Sequence, residues 1–196
     1  MATKWFVLAS GNPHKSEEFN TLFDTDIIGV KPADEKLDVL EDGDTFNHNA
    51  FKKAEAYFKK YKKPVVSDDS GLVVASLPEE LGVHSARFGG QGLDDAGRTD
   101  LLIQKLASNE NREAYFVCLL CFYLSPEEIY FFEGRCAGTI TSEVFGEHGF
   151  GYDPVFKPEG QEKTFAEDPG WKEANGHRAK AVAQAQQFFN GFFSGK

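Results

Sequence analysis

The sequence predicts a mixed α/β fold, in which helices and strands alternate in the first half of the chain and a hairpin follows in the second. The apolar run at residues 4–10 indicates a buried strand, and helix-starting residues come directly after it. Residues 114–124 and 129–137 are two long strand-like segments joined by the turn sequence SPEE. Alternating helices and strands followed by a hairpin are typical of a mixed sheet covered by helices.

The helices are predicted from capping residues that precede apolar residues at helical spacing. Asn12 is a good N-cap and Pro13 a good first residue for the first helix. Asp44 or Thr45 caps the second, whose apolar stripe runs from Phe46 to Tyr61. Further helices are predicted over 94–108 and from about 177 to 189. The remaining predicted strands are 27–30, 64–67 and 72–75, with a DDSG turn between the last two and glycine-rich loops at 77–92 and 146–158.

Length, composition and charge limit the classes of function. The chain has 196 residues, of which 41% are hydrophobic, so one folded domain over residues 1–196 is expected. The 21 Lys and Arg against 31 Asp and Glu give a net charge of −10, which argues against a nucleic-acid partner. The longest apolar run, 115–124, has the length of a strand, so no membrane span or membrane partner is expected. Without a secretory signal pattern, a cytoplasmic location is predicted.

Three cysteines carry no disulfide or metal pattern. Cys118 and Cys121 form a CxxC, but they lie in a predicted strand, where residues at an odd spacing point to opposite faces. Together with Cys136 they are predicted to be buried thiols.

Two motifs in the first half contain candidate ligand-binding residues. The segment 10–15, SGNPHK, lies between a strand and a helix N-terminus, a place that suits an anion, but taken alone it is better explained as a capped helix with a surface lysine. In the segment DDSG, Asp68 and Asp69 are adjacent carboxylates that repel each other without a compensating cation. They indicate metal binding or base catalysis, and the alternative is a turn in which an Asp caps backbone amides.

Two further motifs lie in the second half. In GFGYDP, two glycines bracket Phe150, so that the backbone can approach a ligand and the ring can stack on a base, although in a chain with 19 Phe a ring packed into the core is the more frequent outcome. Lys172, His177 and Arg178 gather cations at the start of the last helix, where the helix dipole disfavours them. They indicate an anionic or carbonyl-rich partner, and taken alone a solvated basic cluster explains them about as well.

The ordered set SGNPHK, DDSGL, SARF, GFGYDPVF, KTFAE and HRAKA resembles the inosine triphosphate pyrophosphatase family, also called XTP/dITP diphosphatases, in its bacterial branch. The resemblance spans nearly the whole chain. It implies a two-lobed α/β fold with a long twisted mixed sheet flanked by helices, a central nucleotide-binding cleft and a homodimer. It also implies Mg²⁺-dependent hydrolysis of ITP, dITP and XTP to the monophosphate and pyrophosphate.

The resemblance also implies roles for individual residues. Asp69 would be the catalytic carboxylate and a metal ligand, and Ser70 a substrate contact. The triphosphate would be held by Ser10, Gly11, Asn12, Pro13, His14 and Lys15, with Lys53 nearby. The base and sugar would be surrounded by Phe150, Gly151, Tyr152, Asp153, Lys172, His177 and Arg178. Leu40 stands where many members have a metal-binding Glu, so the adjacent Glu41 is the predicted second metal ligand.

Two other functions remain open at this level. One is a related pyrophosphatase that acts on pyrimidine or modified nucleoside triphosphates. The other is a non-catalytic nucleotide-binding protein.

Overall fold

The computed structural model describes residues 3–23, 26–90 and 92–194. Six strands form one sheet in the order β2-β1-β3-β4-β5-β6, and β1 pairs in parallel with both β2 and β3. The strands are β1 (Lys4–Ala9), β2 (Ile28–Pro32), β3 (Val65–Val74), β4 (Glu113–Ser125), β5 (Glu128–Ile140) and β6 (Phe156–Pro158). Because β6 pairs with β5 in the antiparallel sense, the sheet is mixed, as predicted.

Five α-helices accompany the sheet within the described residues. They are α1 (Pro13–Leu22), α2 (Phe46–Tyr61), α3 (Asp95–Lys105), α4 (Pro169–Asn175) and α5 (His177–Ser194), and 3₁₀ helices cover Gly82–Arg87 and Asp153–Val155. Asn12 caps α1 and Thr45 caps α2, each with its own side chain. None of the helices in the described part of the chain is long and apolar enough to cross a membrane.

The chain forms two compact units. Unit 1 comprises the described parts of Met1–Asp69, Cys118–Gly134 and Arg178–Lys196, and unit 2 comprises those of Ser70–Val117 and Arg135–His177. Each unit has its own apolar core. In unit 2 the core includes Leu72, Phe116, Phe156 and Phe165.

Strand β4 shows how the sheet separates two cores within unit 1. Cys118, Leu120 and Phe122 belong to one buried cluster, and Leu119, Cys121 and Tyr123 belong to another. This alternation follows from the period of two along a strand. The prediction that Cys118 and Cys121 are buried on opposite faces is therefore confirmed, and all three cysteines are free thiols.

The predicted DDSG turn is wrong, because β3 continues from Val65 to Val74 without interruption. The strand lies between β1 and β4, and its ladder partners hold it extended. Gly71 is needed for a close approach instead of a turn: a Cβ there would collide with the carbonyl oxygen of Gly82. The short elements β6 and α4 also lie in segments where no strand or helix was predicted.

Candidate functional site

The loop between β1 and α1 is held by hydrogen bonds to its own side chains. Asn12 Oδ1 accepts from the backbone N–H groups of His14 (3.0 Å) and Lys15 (3.4 Å), and Ser10 Oγ accepts from the N–H of Asn12 (3.2 Å). Pro13 has no N–H to offer. Since Asn12 already engages the first amides of α1, side-chain cations must supply most of the attraction for an anion at this terminus.

Asp68 lies at the centre of a buried ionic network in unit 1. Its Oδ2 atom is 2.8 Å from Lys15 Nζ and 3.6 Å from Arg178 Nη2, and its side chain is 1% exposed. Arg178 also pairs with Glu18, and its guanidinium lies 5.2 Å from the ring centroid of Phe19. Burial alone would raise the pKa of the Asp68 carboxyl, but the surrounding cations hold it well below its usual range. Asp68 is therefore ionised and orients Lys15 and Arg178.

Asp69 faces a different helix. Asn49 on α2 donates from Nδ2 to Asp69 Oδ2 (3.1 Å), and its amide is fixed in turn because Gly43 N donates to Asn49 Oδ1 (2.8 Å). Burial raises the pKa of the Asp69 carboxyl to about 6, although Lys53, Lys15 and the Asn49 hydrogen bond act in the opposite direction. A carboxylate with a pKa near neutrality is suited to accept a proton during catalysis.

Lys53 joins the two aspartates to the loop before α2. Its ammonium donates to the backbone oxygen of Asp68 (2.9 Å) and pairs with Glu41 Oε2 (2.9 Å). Burial lowers the pKa of Lys53, but the charges of Asp68, Glu41 and Asp69 outweigh burial and raise it. Lys53 therefore stays charged among three carboxylates.

This oxygen donor set fits a hard divalent cation. The Glu41 and Asp69 carboxylates and the Asp68 carbonyl all lie around Lys53. Oxygen donors of this kind suit Mg²⁺, which proteins usually bind through one or two carboxylates plus substrate phosphates. Within the described ranges there is no cluster of three or more His, Cys, Asp or Glu side chains able to hold a metal.

The aromatic loop of unit 2 holds a buried lysine. Lys172 Nζ lies 2.7 Å from Asp153 Oδ2 and 4.6 Å from the ring centroid of Phe150. The same Asp153 oxygen accepts from the N–H of Phe150 (2.9 Å). His177, which is 4% exposed, stacks on Phe116 with 4.7 Å between ring centroids. The ammonium group of Lys172 thus forms an ion pair with Asp153 and lies over the face of the Phe150 ring.

Tyr152 has a structural partner. Its hydroxyl donates to the backbone oxygen of Ser85 (2.7 Å), and the side chain is buried. Gly151 adopts a positive φ of 60°, and its N–H donates to Asp95 Oδ2 on α3 (2.8 Å). These bonds fix the backbone on both sides of Gly151 and so position the Phe150 ring. Ser70, directly after Asp69 on β3, is half-buried.

Several residues of these arrangements were not predicted from the sequence. Glu18 belongs to none of the motifs, and its role as an ion-pair partner depends on Arg178, which is 160 residues away in the sequence. Asn49 lies on the buried side of α2, and a polar residue among the alanines of that face is a signal that could have identified it. Asp95 and Ser85 reach the aromatic loop only through long-range contacts.

The fold and these residues define a mixed α/β protein that carries cations and buried carboxylates suited to a small polyanion. The chain belongs to the Ham1 family, whose model matches residues 6–188. A dITP/XTP pyrophosphatase of Staphylococcus aureus (strain MW2) is 38% identical over 96% of this chain and 97% of its own length. One from Leptospira interrogans is 40% identical over 92% and 94%. The solved structure of a HAM1 protein from Coxiella burnetii superposes with a TM-score of 0.87 at 33% identity, covering 95% of this chain and 98% of its own. The family prediction is confirmed.

Proposed function

We propose that this protein hydrolyses deaminated purine nucleoside triphosphates, namely ITP, dITP and XTP, to the monophosphate and pyrophosphate with the help of Mg²⁺. Such a reaction would remove damaged purines from the nucleotide pool. The names of the relatives support the substrate class. The observation that carries the proposal is Asp69, a buried carboxylate with a pKa near neutrality, held by Asn49 next to Lys53.

The side chains proposed to bind the triphosphate would neutralise its charge and position it for the reaction. The net charge of −10 requires that the substrate's negative charge be neutralised locally. Lys15 and Lys53, both oriented by Asp68, would supply positive charge to the triphosphate. Asp69 and Glu41 would hold Mg²⁺, which when bound neutralises charge on the phosphate oxygens.

Asp69 would take the proton in the chemical step. Water adds its oxygen to the α-phosphorus in line with the leaving group, and the bond from that phosphorus to the bridging oxygen breaks. The proton of the water passes to the Asp69 carboxylate, and pyrophosphate leaves with the bond's electron pair. The hydrogen bond from Asn49 fixes one oxygen of Asp69 and so orients the carboxylate for this role.

The aromatic loop would receive the base. The Phe150 ring offers a stacking face, and Lys172 beside it is a donor for the keto oxygen that hypoxanthine and xanthine carry at C6. Adenine has an amino group at that position, which cannot accept a hydrogen bond from Lys172. The proposal also includes a homodimer, on the family resemblance, and a cytoplasmic location, on the three free thiols.

Pyrophosphate release from ITP in the presence of Mg²⁺ tests the function. Asp69→Asn should lower kcat by about 10²-fold or more, because it removes the proton acceptor and a metal ligand. Near-normal activity of a folded Asp69→Asn protein would refute the assignment of Asp69. Binding of ITP without pyrophosphate release would indicate a non-catalytic nucleotide-binding protein, and a preference for pyrimidine or modified nucleotides in a substrate panel would change the substrate class.

A further inference from the structure

We propose that Lys36, in the segment between β2 and α2, is a further binding residue for the polyphosphate of the substrate and of the pyrophosphate product. This inference rests on the proposed function, because it assigns a new residue to the same phosphate site. Neither the motifs nor the family resemblance assigns a role to Lys36.

The first observation is the close packing of Lys36 over the loop that precedes α1. A Cβ atom at Gly11 would collide with the Cγ, Cδ and Cε atoms of Lys36. The methylene chain of Lys36 therefore crosses directly above Gly11, and its ammonium is one bond beyond Cε. Glycine at position 11 makes this approach possible and places the charge beside the loop at residues 10–12.

The second observation is that α2 anchors the backbone on both sides of Lys36. Glu35 N donates to Tyr61 Oη (3.0 Å), which donates in turn to the Glu35 carbonyl (3.2 Å). Leu37 N donates to Tyr57 Oη (2.9 Å), and the Tyr57 side chain is 2% exposed. Two tyrosine hydroxyls one helical turn apart thus fix the residues before and after Lys36. This anchored backbone fixes the point from which the Lys36 side chain extends.

The third observation concerns charge. Four other lysines of unit 1 are paired with a carboxylate: Lys15 with Asp68, Lys52 with Asp42, Lys53 with Glu41 and Lys60 with Glu35. Lys36 has no such ion pair within residues 3–23, 26–90 and 92–194. Because Asn12 engages the first amides of α1, an anion at this loop depends on side-chain cations. Lys36 offers a positive charge that no described carboxylate neutralises.

The competing explanation is that Lys36 only covers Gly11 with its methylenes, as long charged side chains often do on protein surfaces. Lys36→Met keeps an unbranched chain over Gly11 and removes the charge, so it separates packing from charge. Lys36→Arg restores the charge. Lys63→Met is the matched control, because Lys63 is an exposed lysine in the turn between α2 and β3.

The experiment measures binding of inorganic tripolyphosphate by calorimetry, and kcat and KM for ITP, each in Mg²⁺ at two salt concentrations. Lys36→Met should weaken tripolyphosphate binding and raise KM by about 10-fold, the usual effect of losing one hydrogen bond to a charged group, with kcat changed much less. The loss should shrink at high salt, because a partly exposed charge is screened. Lys36→Arg should recover most of the affinity, and Lys63→Met should match the wild type.

The outcomes separate this inference from the proposed function. Wild-type affinity of Lys36→Met for tripolyphosphate, or an equal loss in Lys63→Met, would overturn the role of Lys36 even if ITP is hydrolysed. Failure of the wild type to bind tripolyphosphate would overturn it as well. Binding that depends on Lys36 in a protein that releases no pyrophosphate would support the inference and refute the proposed hydrolysis.

Discussion

Replacing Asp68 by asparagine should destabilise the protein far more than the same change at Asp69. The Asp68 side chain is 1% exposed, and its Oδ2 atom forms ion pairs with Lys15 Nζ at 2.8 Å and with Arg178 Nη2 at 3.6 Å. Asparagine preserves the shape of the side chain and removes its negative charge. In that variant the positive charge of Arg178, which is 3% exposed, is balanced only by Glu18.

The size of the effect follows from the burial of the partners. Removing one member of a buried ion pair costs about 3–5 kcal/mol, because the other charge is left uncompensated. Lys15 is 17% exposed and can turn toward water, and Arg178 retains Glu18, so we expect the lower end, about 3 kcal/mol. For a chain of this length, each kcal/mol shifts the melting temperature by about 2–4 °C, which gives a fall of about 6–12 °C.

The pH dependence has a definite sign. The surrounding cations hold the pKa of Asp68 below its usual value of 3.8, although burial alone would raise it. A carboxyl whose pKa is lower in the folded state contributes stability above its unfolded pKa and loses it as the pH falls through the folded pKa. The difference between wild type and Asp68→Asn should therefore be constant from pH 6 to 8 and should decrease below about pH 4.

Thermal and denaturant unfolding without added Mg²⁺ measure this difference. Asp69→Asn is the matched control. Burial raises the pKa of Asp69 to about 6, so its negative charge destabilises the folded state at neutral pH. It should unfold at or above the wild-type temperature and yet lose turnover. If Asp68→Asn remains within about 1 kcal/mol of wild type while Asp69→Asn is the less stable, the structural role of Asp68 is refuted.

Three further results are expected. Glu41→Ala should raise the Mg²⁺ concentration for half-maximal rate, because it removes a predicted ligand that Lys53 now orients; an unchanged titration would exclude Glu41 as a ligand. Native protein should not react with a thiol reagent at pH 8, because burial raises the pKa of Cys118 and Cys121 to about 12, and unfolded protein should show three reactive thiols. Arg178→Ala should lower kcat/KM for ITP and ATP by similar factors, whereas a fall confined to ITP would show that Arg178 recognises the base.

Local sequence signals predicted the elements that depend on neighbouring residues. Asn12 and Pro13 start α1 where the capping pattern indicated, and the alternation around Cys118 and Cys121 gave the two faces of β4. The prediction of a turn at DDSG was wrong because it considered only the turn propensity of these residues and not the strands that pair with them. In the sheet, β3 is held extended by β1 and β4, and this tertiary pairing overrides local turn propensity.

The candidate site shows the same limit at the level of side chains. The motifs supplied Lys15, Asp69 and Lys172, because their residue types suit phosphate, metal and base. Lys36 and Asn49 were not predicted as site residues, since neither belongs to a motif, although the polar Asn49 on an apolar helix face was a usable signal. Their placement depends on Tyr57 and Tyr61 in one case and on Gly43 in the other, contacts that only the folded chain reveals.

The adjacent residues His177 and Arg178 belong to one sequence motif but contact different parts of the molecule. Successive residues on a helix are about 100° apart and do not face the same neighbours. His177 stacks on Phe116 in unit 2, whereas Arg178 pairs with Asp68 in unit 1. The sequence groups the two as cations near the base, but the contacts of Arg178 are with the carboxylate that orients Lys15. If Lys15 binds phosphate as proposed, a residue that supports it affects every nucleoside triphosphate alike, and selectivity among bases is expected from Phe150, Lys172 and the loop that holds them.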